Sequence, residues 1–103
     1  MWAQLISMRI KPGAEEKLQS LFEILRSTEQ PDSGLVSQLA MVDENDPSRF
    51  LMLAVFESEE KARERENDPR RAEGLKVLRE VMAEIIDGPR EFTDLNVISD
   101  ATH

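Results

Sequence analysis

The stretch that most limits how this chain can fold is Arg49 to Glu57, in which all seven residues from Phe50 to Phe56 are apolar. An extended strand sends neighbouring side chains to opposite faces, so Phe50, Met52, Ala54 and Phe56 share one face while Leu51, Leu53 and Val55 share the other. Both faces must then be kept from water. Apolar runs of this kind belong to sheets covered on both sides, yet a chain of 103 residues has few helices to spare for a second face. The second cover is expected to come from outside the chain.

This length fits one domain with a thin core, burying roughly two thirds of the surface that the unfolded chain exposes. The net charge of −8, from 21 acids against 13 bases, opposes approach to nucleic acid or an anionic membrane surface, so neither is an expected partner. There is no cysteine, which removes disulfides, thiolate metal sites and a cysteine nucleophile. The opening residues, MWAQLISMRIK, carry no basic region ahead of the apolar ones and no small-residue cleavage site. No stretch approaches the roughly eighteen apolar residues of a membrane span, and a cytoplasmic location is expected.

In chain order, Trp2 to Ile10 reads as a first strand with Trp2, Gln4, Ile6, Met8 and Ile10 on one face. Lys11-Pro12-Gly13 breaks it, and Glu15 and Glu16 open a helix whose Leu18, Leu21, Phe22 and Leu25 recur at helical spacing, ending near Gln30. Pro31-Asp32-Ser33-Gly34 turns the chain into a second strand, Leu35 to Val42. Asp43 to Ser48 is expected as a polar hairpin loop leading to the apolar strand; its acids have no histidine, cysteine or calcium-loop spacing around them and read as a turn, not a metal site. Ser58 caps a solvated helix that reaches Asn67, with Glu66 and Arg70 as i, i+4 partners. Asp68-Pro69 starts the helix that packs, through Leu75, Leu78, Met82 and Ile85. Asp87-Gly88-Pro89 is expected to stop it, and Arg90 to Ile98 to form strand four.

The order is βαββαβ, a ferredoxin-like α+β domain over residues 1–98 followed by a polar tail at residues 99–103. Right-handed crossovers put both helices on one face of a four-stranded antiparallel sheet, leaving the other face apolar and bare. Two copies packed sheet to sheet would cover it and close an α+β barrel, so a homodimer is expected.

Ile10-Lys11-Pro12-Gly13, Asp46-Pro47-Ser48-Arg49-Phe50, Phe56-Glu57-Ser58-Glu59-Glu60 and Asn67-Asp68-Pro69, in this order and spacing, resemble the landmarks of the antibiotic biosynthesis monooxygenase family. The resemblance implies a dimeric α+β barrel, a ligand pocket between sheet and helices, and oxygenation of phenolic, quinol-like or polyketide aromatics without metal or flavin. No cofactor is therefore expected. Where relatives often carry tryptophan this chain has Phe56, and nine residues on, where many have histidine, it has Arg65. The haem-degrading subgroup places an asparagine, an aromatic and a histidine near what are here Ile6, Arg65 and Leu75, none of which serves, so haem is not expected.

Dioxygen is a triplet, so cofactor-free oxygenation needs an electron-rich substrate anion, formed by a base or stabilised by hydrogen-bond donors beside an apolar wall. Gln4 and Arg65 are the polar groups best placed to supply this, Arg65 through charge-assisted hydrogen bonds; Trp2, Ile6, Met52, Phe56 and Leu75 are expected as the apolar wall. The bland alternatives are that Arg65 belongs to a solvated mixed-charge face and that the aromatics and methionines are plain core. There is no tyrosine, and the only histidine is His103. That scarcity keeps open a non-catalytic barrel that binds a small ligand or serves in stress.

Overall fold

The computed structural model describes residues 1–101; Thr102 and His103, and with them the end of the expected tail, lie outside the described residues. Four strands form one antiparallel sheet in the order β2-β3-β1-β4: β1 (Trp2–Ile10), β2 (Leu35–Asp43), β3 (Asp46–Phe56) and β4 (Ile86–Asn96). The crossovers are α1 (Leu18–Thr28), entered by a 3₁₀ turn at Glu15–Lys17, and the pair α2 (Glu59–Glu66) and α3 (Ala72–Ile85), joined by a 3₁₀ turn at Pro69–Arg71. This is the expected ferredoxin-like arrangement.

The central strand behaves as its sequence dictates. Phe50, Met52, Ala54 and Phe56 are buried under the helices, and Leu51, Leu53 and Val55 between them are only half-buried. In register with β3, Met8 lies beside Phe50, Ile6 beside Met52, Gln4 beside Ala54 and Trp2 beside Phe56. Leu21, Phe22 and Leu25 of α1 and Leu78, Val81 and Met82 of α3 pack onto Met8, Phe50 and Met52. A second, smaller cluster gathers Trp2, Ala54, Phe56 and Ala62. Local signals fix the helix starts: the Ser58 hydroxyl accepts from the Lys61 N–H at 3.1 Å, and the Asp68 carboxylate from the Arg70 N–H at 2.9 Å.

Three details differ from the sequence reading. The connection between β2 and β3 is only Glu44-Asn45, because Asp46-Pro47-Ser48 joins β3 at a register shift where a proline's missing donor costs no ladder bond. Asp87-Gly88-Pro89 does stop α3, yet these residues lie inside β4, which starts at Ile86 and bulges past β1 between the partners of Ser7 and Arg9. An edge strand tolerates glycine at φ +85° and proline there, since one side of its ladder is unpaired. The third is the expected Glu66–Arg70 pair. Glu66 instead meets Arg63 at 3.1 Å, and Arg70 meets Asp68 and Asp32 at 2.7 and 2.8 Å, because the chain turns at Asn67 before an i, i+4 contact can form.

On the face away from the helices, Leu53 sits between Leu39 and Leu5, and Leu51 between Met41 and Ser7. Leu39 is 55% exposed and Met41 and Leu95 38% each. Among the described residues no helix is long and apolar enough to cross a membrane.

Candidate functional site

The two core clusters do not merge, and the reason lies in one row of the sheet. Across the helix-facing side, register aligns Gln38, Ala54, Gln4 and Asp94. The row on one side of it holds Phe56 and Trp2, and the row on the other Met52 and Ile6. A small side chain between two amides cannot reach the helices, so space remains beneath them. The result is a cavity of about 340 Å³ between the sheet and α1, α2 and α3, at the low end of ligand sites of roughly 300–1,000 Å³.

Trp2, Gln4, Ile6, Met52, Phe56, Arg65 and Leu75 all line this cavity, so every residue singled out from the sequence is brought to one place. The Trp2 and Phe56 rings lie 6.0 Å apart at 43° and form its end wall. The Gln4 amide donates to the Asp94 carboxylate at 3.1 Å, and the Gln38 amide donates to the Met52 thioether at 3.2 Å.

Arg65 is not on a solvated face. Its side chain is 12% exposed, and Nε and Nη2 donate to the Glu29 carboxylate at 2.9 and 2.6 Å while the guanidinium sits 5.4 Å over the Phe56 ring. Burial alone would push the Glu29 carboxyl up. Hydrogen bonds from Arg65 and Ser33, with the charges of Arg65 and Arg71, outweigh it and hold the carboxyl below its usual value. Nη1 of Arg65 has no partner among the described residues.

The sequence reading missed Arg71, Arg79, Arg90, Gln38 and Glu66, all of which line the cavity. Arg71 carried a usable signal: with Leu75, Leu78 and Met82 it follows the i, i+4, i+7, i+11 stripe of α3. Arg90 arrives only through the β4 bulge, which no local pattern announces.

A larger depression of about 980 Å³ runs along α2 between Asp32 and Arg70. Its walls are charged side chains that pair with one another, such as Arg63 with Glu59 and Arg70 with Asp32, and among its described lining residues Pro69 alone is apolar. Among the described residues no cluster of three or more histidine, cysteine or acidic side chains is placed to hold a metal.

The family model "Antibiotic biosynthesis monooxygenase" matches residues 1–76. Among curated proteins none matches the chain. Solved structures do. Rv0793 from Mycobacterium tuberculosis is 17% identical with a TM-score of 0.71, covering 98% of each chain. NE2512 from Nitrosomonas europaea is 18% identical with a TM-score of 0.74, covering 99% of this chain and 93% of its own. A variant of SnoaB, a cofactor-independent oxygenase from Streptomyces nogalater, is 13% identical with a TM-score of 0.72, covering 99% of this chain and 97% of its own. At these identities the likeness is one of fold.

Proposed function

Because the chain belongs to the antibiotic biosynthesis monooxygenase family, we propose that it oxygenates a small phenolic or quinol-like molecule held in the cavity between sheet and helices, without metal or flavin. The observation that carries this reading is that one cavity gathers Trp2, Met52, Phe56 and Leu75 around the amide of Gln4 and the guanidinium of Arg65. Apolar walls hold the ring and exclude water. Gln4 and the free Nη1 of Arg65 stabilise the phenolate or enolate that gives an electron to dioxygen. Dioxygen suffices as oxidant for an anthrone: the methylene loses two hydrogens, one oxygen atom becomes its carbonyl and the other leaves as water.

The reading includes a homodimer. Leu39, Leu51, Leu53 and Val55 share the sheet face that no helix covers, all of them partly or well exposed, and a second copy laid against it would close the barrel.

One observation favours a second reading, ligand binding without turnover. Among the described residues the only ionisable base lining the cavity is Glu66, and Arg63 holds its carboxylate at 3.1 Å. Oxygen uptake over a panel of quinols and anthrones separates the two. Oxygenation requires uptake that falls at least about tenfold in Arg65→Ala or Gln4→Ala, the loss typical of one preorganised donor. No uptake across the panel, or uptake indifferent to both substitutions, leaves the binding role.

A further inference from the structure

The chain carries eight more acids than bases, yet among the described residues its cavity is lined by Arg65, Arg71, Arg79 and Arg90 against the single acid Glu66. Arg65 has Glu29 as its counter-ion. Arg71, Arg79 and Arg90 have no carboxylate at ion-pair distance among the described residues.

Arg71 is the decisive one. The residue is 4% exposed, Nη1 donates to the Arg65 backbone carbonyl at 2.9 Å, and Nε is buried with no partner. A guanidinium placed so is expensive: an unpaired buried charge and an unmade hydrogen bond both oppose folding. Burial, and then repulsion from Arg65, pull its pKa down from the ordinary arginine value, outweighing the charges of Glu29, Asp68 and Glu66. A protein with 21 acids that sets none of the described ones at ion-pair distance from this cation retains a place for an anion to fill.

We propose that the cavity takes an aromatic acid, an apolar ring system bearing one carboxylate, with the carboxylate seated against the Arg71 guanidinium and the ring against Trp2, Met52 and Phe56. This rests on the reading of the cavity as a small-molecule site and adds the charge of what enters it. The planar fork of arginine suits a carboxylate's two oxygens, which a lone ammonium cannot match. Arg79 and Arg90 add positive potential at the wall without direct contact being required.

Calorimetric titration of the full chain with 2-naphthoate and with its neutral counterpart 2-naphthalenemethanol tests this. The wild type is expected to bind the carboxylate at least about tenfold more tightly than the alcohol, the increment of one charge-assisted hydrogen bond. In Arg71→Met the preference disappears, and in Arg71→Lys part of it survives. Equal affinities in the wild type, or a preference unchanged in Arg71→Met, overturn the inference. Should Arg71→Met fail to fold by circular dichroism, the wild-type comparison decides alone, and Arg71→Lys must keep a reduced preference. Binding of the alcohol without preference for the acid defeats only this inference. Binding of neither probe defeats the small-aromatic reading of the cavity as well.

Discussion

Arg65 and Glu29, 36 residues apart, close on each other through three hydrogen bonds of 2.6, 2.9 and 3.1 Å, joining the end of α2 to the end of α1 beside the cavity. Both side chains are largely covered, so removing one charge strands the other. Glu29→Gln should lower stability at pH 7 by about 1–3 kcal/mol, read from urea unfolding. The sign with pH follows from the lowered Glu29 pKa. The ion pair contributes fully above the unfolded-state carboxylate value of about 4.3, and the contribution vanishes as pH falls through the lower folded value. The gap between wild type and Glu29→Gln should therefore narrow on acidification toward pH 3; a gap that widens contradicts the pairing.

Gly74 in α3 touches α1 so closely that a Cβ there would lie 2.0 Å from the Thr28 Oγ1 and 2.9 Å from its Cβ. Glycine to alanine in a helix ordinarily stabilises by about 1 kcal/mol. Here Gly74→Ala should destabilise by about 1–3 kcal/mol, because the two helices must part. The Thr28 Oγ1 is buried with no hydrogen-bond partner, so Thr28→Val should raise the melting temperature by a few degrees, a gain of about 1 kcal/mol. A stabilised Gly74→Ala would show the helices to be less tightly packed than this.

Asp46 closes the β2–β3 turn by accepting from the Ser48 hydroxyl at 2.6 Å and from Arg9. Ser48 first and Arg9 second lower its pKa to about 2. Its stabilising effect is present above the unfolded value of about 3.9 and is lost as pH drops toward 2. A carboxylate titration followed by NMR should find that low value and an upward shift in Ser48→Ala. A wild-type midpoint near 4 would mean the turn is open in solution.

Leu53 points away from the helices between Leu39 and Leu5. If a second copy covers this face, Leu53→Asp puts a carboxylate into a dry interface, and the protein should remain folded but sediment as a monomer at micromolar concentration. A dimer indistinguishable from wild type would place the interface elsewhere.

Much of this architecture is legible in the sequence because its strongest signals are local. The apolar run Phe50 to Phe56, the break at Pro12-Gly13 and the caps at Ser58 and Asp68 each specify their element without help from distant residues. What failed to show is what register and crossing decide. Pro47 and Pro89 signal breaks, but bulges absorb both within strands. Of the cavity, the strand contribution was visible, since alternation alone puts Trp2, Gln4 and Ile6 on one face. The pairing of Arg65 with Glu29 and the arrival of Arg90 depend on how helices and a bulged edge strand meet, and no spacing in the chain encodes that.

The most direct measurement is a crystal structure of the chain soaked, in the absence of oxygen, with a two-ring quinol such as 1,4-naphthohydroquinone. The ring should lie between Trp2, Met52 and Leu75, with a hydroxyl within hydrogen-bond reach of Gln4 or Arg65. A ligand seated instead in the charged trough along α2 or on the outer sheet face, or a cavity still empty at saturating quinol, would contradict the assignment of this space as the functional site.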